Sequence, residues 1–162
     1  MMNFKFMLQL SVIMISVVAC NSHSGYNVTN FDFSVECMGT ELDGSQTLKA
    51  WGKGRNYFDA SEQAKKNAVR EVIFKGVHKG SSVCSKDPIL LTPRAETLNE
   101  EYFAKFFADG GEYSKYVSLK DEHIKNKLSR NKKKQSESSS RMVVVRIDRF
   151  GLKQKFKEDK IY

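Results

Sequence analysis

The sequence predicts an α+β fold: a mainly antiparallel sheet with helices on one face, in the order β-β-α-α-β-β-α. Three observations carry this. Phe31, Phe33, Val35 and Cys37 alternate with Asp32, Ser34 and Glu36, ahead of an Asp43-Gly44 turn signal. Ala60, Ala64, Ala68 and Val72 repeat every fourth residue. Val143, Val145 and Ile147 alternate with Met142, Val144 and Arg146.

In chain order, residues 31–40 read as a half-buried strand, and Leu42-Asp43-Gly44-Ser45 as a hairpin turn. Thr47 to Trp51 returns as the second strand, which Gly52 and Gly54 are expected to end. Asp59, with Glu62 three residues on, has the spacing of a capping box and opens a helix that Gly76 closes. Val69, Ile73 and Phe74 widen its alanine stripe, which marks a core face set close to a sheet. Residues 77–96 hold Cys84, Pro88 and Pro93 and read as a long irregular connection. Thr97 and Glu100 suggest a second capping box, and Tyr102, Phe103, Phe106 and Phe107 mark one face of a short helix ending at Gly110-Gly111. Tyr116 to Leu128 reads as a strand and residues 131–140 as a polar loop. Met142 to Asp148 is the last strand, and Asp148 caps a final helix with Leu152 and Phe156 turned inward.

The N-terminus carries an address. Met7 to Ala19 is apolar but shorter than the roughly 20 residues a spanning helix needs. Lys5 precedes it, and Val17-Val18-Ala19-Cys20 follows. A short charged region, an apolar core and a small residue before the cut make a secretory signal peptide. The ending on cysteine resembles the lipobox of bacterial lipoproteins. That resemblance implies a signal peptide over residues 1–19 and acylation of Cys20, with palmitate among the attached chains. Two or more acyl chains make a stable membrane anchor. Asn21 stands where, in that family's sorting rule, Asp retains a protein in the inner membrane. Residues 21–26 carry no acid, unlike the surface-export signals of some lineages. The resemblance therefore implies a lipid-anchored protein of the bacterial outer membrane, facing the periplasm. Residues 20–30 read as a flexible tether and 31–162 as a single α+β domain.

With lipid on Cys20, Cys37 and Cys84 remain. In an oxidising compartment two leftover cysteines pair, closing a loop worth about 4 kcal/mol on the chain-entropy view. The alternative is two buried thiols. The charge is lopsided: residues 113–162 hold 15 cations and six acids. The excess peaks at Lys125, Lys127, Arg130, Lys132, Lys133 and Lys134. Such a patch attracts anions. An exported lipoprotein does not meet nucleic acid, so the partners to consider are lipid head groups, lipopolysaccharide phosphates, anionic cell-wall polymers and acidic envelope proteins. The other reading is a solvated lysine-rich loop.

The strand pair ending in Gly52-Lys53-Gly54, followed by the alanine-striped helix, is similar to small outer-membrane lipoproteins and to the N-terminal domain of the flagellar H-ring protein. The likeness covers about residues 45–77, and the 77–96 insertion departs from it. It transfers no functional residues.

Chemistry is sparse. His23, His78 and His123 have no second ligand at metal-binding spacing, so no metal is expected. No Gly-x-Ser-x-Gly is present. Glu100 and Glu101 point to different sides of a helix, and Glu36 and Glu41 are not a ready acid–base pair. Gly52-Lys53-Gly54 lacks the third glycine of a dinucleotide fingerprint, since Tyr57 stands there. Trp51, Tyr57 and Phe58 could stack a sugar, although strand aromatics more often face a core. The expectation is a non-enzymatic structural or assembly lipoprotein of a trans-envelope complex such as a secretion system, with no cofactor. The alternative is a carbohydrate- or host-surface-binding lipoprotein.

Overall fold

The structure is a computed structural model, and it describes residues 34–120 and 139–161. Strand β1 spans Glu36–Thr40 and β2 spans Gln46–Gly54, followed by helix α1 at Tyr57–Phe74. A two-residue strand β3, Lys79–Gly80, comes next, then helices α2 at Ala95–Leu98 and α3 at Glu100–Phe106. A 3-10 turn, Glu112–Tyr116, leads into β4 at Val117–Leu119. Strand β5 runs Ser139–Ile147 and helix α4 runs Arg149–Glu158. The sheet order is β3-β1-β2-β5-β4. Every pairing is antiparallel except β1 with β3. The α+β class with a mainly antiparallel sheet stands. The element order differs from expectation because β3 is added and the 97–107 helix is split in two.

The hairpin forms where Asp43-Gly44 places it. Gly44 takes φ +80°, and Asp43 Oδ1 accepts from both Ser45 N and Ser45 Oγ. Strand β2 does not stop at Gly52; it pairs with β5 from Gln46↔Ile147 to Gly54↔Ser139. The same ladder starts β5 three residues before Met142. Gly54 is the last residue of β2, as expected, while Gly52 lies inside the strand, and both admit the helix backbone closely. A Cβ on Gly52 would lie 2.1 Å from the Ala60 carbonyl oxygen and 2.3 Å from Ala64 N. A Cβ on Gly54 would lie 2.4 Å from Ala60 N. Side-chain-free strand positions meet one-carbon helix positions, and backbone packs on backbone.

Helix α1 is capped by Asn56, not Asp59. The Asn56 carboxamide accepts from Asp59 N, which starts the helix one turn earlier than the acidic pair suggested. Asp59 instead pairs with Arg55. At the other end Gly76 takes φ +78° and donates to the Glu71 carbonyl, as a C-terminal glycine should. Thr97 and Glu100 make no capping box: Thr97 lies inside α2, and Asn99 separates it from α3. Asp148 does cap α4, accepting from Gly151 N.

The inner face of the sheet is Leu48 and Ala50 of β2 with Val143, Val145 and Ile147 of β5, all buried. Helix α1 covers it with Ala64, Ala68, Val69, Val72 and Ile73. Leu152 and Phe156 complete the core and are fully buried. Phe103 packs edge-on against Phe74, with ring centroids 4.8 Å apart. Phe106 lies 5.6 Å from Phe156. The aromatic face predicted for the short helix thus closes the core's far end. Phe31, Phe33 and most of the expected 116–128 strand lie outside the described residues; only Val117–Leu119 is assigned, with Lys120 N still donating to the Val144 carbonyl.

Candidate functional site

The residues singled out from the sequence fall into three groups. Cys20, Lys125, Lys127, Arg130, Lys132, Lys133 and Lys134 lie outside the described residues, as do His23 and His123. Cys37 and Cys84 are joined by a disulfide, with Cα atoms 6.4 Å apart. The remaining candidates are ordinary surface groups. His78 is exposed, with its ring on the Lys75 carbonyl. Glu101 pairs with Lys105 and Glu36 with Lys49. Glu41 accepts from Lys120 and Thr47, and Lys120 first and then Thr47 hold its carboxyl below the usual range. Among the described residues no cluster of His, Cys, Asp or Glu could hold a metal ion.

The disulfide organises more than the sequence suggested. Residues 77–90 form a strap across one end of the molecule. Ser81 N donates to the Cys37 carbonyl, and Thr40 Oγ1 to the Val83 carbonyl. Gln46 Nε2 donates to the Ser85 carbonyl at 3.3 Å and Arg149 Nη2 to the Asp87 carbonyl at 2.9 Å. Ile89 N and Leu90 N donate to the Val72 and Ile73 carbonyls. Gln46 and Arg149 are buried, and Gln46 Oε1 and Arg149 Nη1 have no partner among the described residues. Burial lowers the Arg149 pKa, opposed by the nearby Asp87 charge.

A second polar cluster was not foreseen. Lys155 lies 3.1 Å from both Glu112 and Asp159. Tyr102 OH donates to Asp159. Tyr102 and then Lys155 hold the Asp159 carboxyl below its ordinary value, while burial and then Asp159 push the Tyr102 phenol up. Tyr113 OH donates to Glu62, and its phenol is likewise raised, first by burial. These groups fasten α4 and the 3-10 turn to the core. They were invisible in the sequence because 57 positions separate Tyr102 from Asp159.

The outer face of the sheet is buried at Thr47 and more exposed toward Trp51. Thr47, Lys49, Trp51 and Lys53 of β2 point away from the core, as do Met142, Val144 and Arg146 of β5. Trp51 and Met142 stand opposite one another, each 38% exposed, so Trp51 is not the core residue that strand aromatics usually are. At the Glu41–Ser45 turn Arg146 meets Glu41 and Asp43, and Lys120 meets Glu41. At the opposite end, where β2 runs into α1, the surface is aromatic and basic. Phe58 is 69% exposed and Tyr57 39%. The Arg141 guanidinium sits 3.5 Å from the centroid of the Tyr57 ring. Lys53 and Arg55 flank them.

No family model, no curated protein and no solved structure matches this chain.

Proposed function

We propose that this chain is a lipid-anchored, periplasm-facing outer-membrane lipoprotein and a non-enzymatic structural or assembly component of a trans-envelope complex such as a secretion system. One observation carries the reading. Three cysteines are present, two are bonded to each other, and the third, Cys20, ends the apolar run in Val17-Val18-Ala19-Cys20. The bridge suits an oxidising compartment, and the leftover thiol has the setting of an acylation site. The basic run through Lys132-Lys133-Lys134 is the proposed contact for an acidic envelope partner. Sugar stacking on Trp51, Tyr57 and Phe58 is the weaker alternative, because Arg141 already occupies one face of Tyr57.

The test is metabolic labelling with a palmitate analogue followed by membrane fractionation. Wild type should carry the label and fractionate with the outer membrane, and Cys20→Ala should do neither. A lipidated Lys132→Glu/Lys133→Glu/Lys134→Glu variant should leave the large envelope assembly that wild type sediments with. Equal labelling of wild type and Cys20→Ala would remove the anchor, and unchanged sedimentation of the triple variant would remove the basic contact.

A further inference from the structure

We propose that the Cys37–Cys84 bridge is a redox latch: its reduction by the dithiol of a thioredoxin-type reductase frees the segment from His78 to Pro88 and uncovers Gln46 and Arg149 beneath it. The latch does not depend on acylation of Cys20, so it is independent of the lipoprotein reading.

Burial along the strap carries this. From His78 to Pro88 every residue is exposed or half-buried except Cys84, which is 5% exposed. The buried residues Val77 and Ile89 stand on either side of that run. Buried apolar side chains usually hold an irregular segment to a core. Here one cysteine supplies that contact, and it is bonded to Cys37 of β1. Hydrogen bonds add to it: Ser81 N donates to the Cys37 carbonyl, Thr40 Oγ1 to the Val83 carbonyl, and Gln46 and Arg149 to the Ser85 and Asp87 carbonyls. Strand β3 pairs two residues with β1. Such polar contacts exchange with bonds to water at small net gain. The sheet does not need the bridge. Strand β1 keeps its ladder with β2 from Glu36↔Lys49 to Thr40↔Gln46, and α1 keeps Ala64, Ala68 and Val72 in the core. The covalent bond therefore selects between a held and a free strap over an unchanged sheet.

Both cysteines are buried, so attack follows local opening of the segment around Cys84. One thiolate of the reductase attacks Cys84 Sγ, the S–S bond breaks, and Cys37 leaves as a thiolate that takes up a proton. The second reductase thiolate attacks the mixed disulfide and releases Cys84, which is protonated in turn. The reductase ends as a disulfide, and two electrons and two protons have passed to Cys37 and Cys84. The two forms present different surfaces. Gln46 and Arg149 are buried in the bridged form. With the strap free, an amide and a guanidinium face water where the hairpin meets the start of α4.

The full chain is treated with dithiothreitol, and separately with reduced thioredoxin, across a urea series below the unfolding midpoint. New thiols are counted by alkylation as the difference from the untreated chain, which holds whatever group Cys20 carries. The latch predicts reduction in native buffer at a rate nearly independent of urea. In the reduced chain, amide exchange at Ser81 should rise by about tenfold or more, while α1 and β5 amides stay protected. Phenylglyoxal should modify Arg149 in the reduced chain and spare it in the bridged one. Cys37→Ser/Cys84→Ser should match the reduced chain in both readouts. Reduction that begins only at urea concentrations where α1 unfolds overturns the proposal and makes the bridge a plain staple. A reduced chain in which Ser81 and Arg149 stay protected also overturns it. So does a reduced chain whose α1 and β5 amides lose protection together with the strap, because the bond then holds the whole fold and not one segment.

Discussion

Replacing Gly52 by alanine adds one methyl group, yet it should be among the most damaging small changes in this protein. The new Cβ would stand 2.1 Å from the Ala60 carbonyl oxygen and 2.3 Å from Ala64 N, both backbone atoms of α1. Those atoms cannot rotate away. Real Cβ contacts begin near 3.0 Å, so helix and strand must separate by about 0.9 Å. A gap of 0.5–1 Å forfeits roughly a quarter to a half of each dispersion contact across the interface. Ala60, Ala64, Ala68, Val69, Val72 and Ile73 of α1 are all fully buried and share that loss. Overpacking typically costs about 1–3 kcal/mol, and a clash with backbone lies at the upper end. Gly52→Ala should therefore destabilise by about 3 kcal/mol. With a urea m-value near 2 kcal/mol/M, the midpoint falls by about 1.5 M. Gly39→Ala is the control, because a Cβ there meets nothing within 4 Å. The assay is urea unfolding followed by Trp51 emission with the disulfide intact. Equal midpoints for the two variants would refute the claim that α1 rests on a side-chain-free strand position.

Two further outcomes follow from the same structure. Cys37→Ser/Cys84→Ser should lose up to about 4 kcal/mol and release the strap, seen as faster amide exchange at Ile89 and Leu90; unchanged exchange there would show that the strap holds without the bridge. Asp159 and Glu112 have folded-state pKa values below their ordinary ones, so they add stability above the unfolded carboxylate range near pH 4, and it is lost as pH falls through the folded values. Asp159→Asn should flatten that acid limb in a series of urea midpoints, and an unchanged slope would remove Asp159 from the acid response.

The elements that alternate or repeat cleanly were legible. Val143, Val145 and Ile147 face the core because a strand's period of two leaves them no other side, and Leu152 and Phe156 follow from the helical period. The hairpin was legible because Asp43-Gly44 is local chemistry. Gly52 was misread as a strand end, which Gly54 is, because composition does not separate a strand-ending glycine from one that admits a helix backbone. The difference lies in Ala60 and Ala64, which only the tertiary contact brings beneath them. The start of α1 was misplaced for a related reason. Asn56 and Asp59 are both good caps, and the register of β2 decides which one the turn presents. At the aromatic end, Trp51, Tyr57 and Phe58 were visible as neighbours in sequence. Arg141 was not, because only the Gly52↔Arg141 pairing carries it to the Tyr57 ring.

The strap is irregular, as the sequence reading expected, and its chemistry explains why it is ordered at all. An irregular run with Pro88 has little secondary structure of its own to hold it. Strand β3 supplies only two paired residues. Yet the carbonyls of Ser85 and Asp87 are the partners of Gln46 and Arg149, two buried polar side chains in the core below. Without the strap an amide and a guanidinium would lose these hydrogen bonds, and each already has one atom unpaired among the described residues. A buried polar group left unsatisfied costs about 1–3 kcal/mol, and a charged one costs more. The strap and the core are therefore coupled. The bridge from Cys37 to Cys84 holds the strap over these groups, so its effect is not confined to loop entropy. It keeps a polar core element satisfied, and that is why so much irregular chain can pack against the sheet with only a two-residue strand of its own.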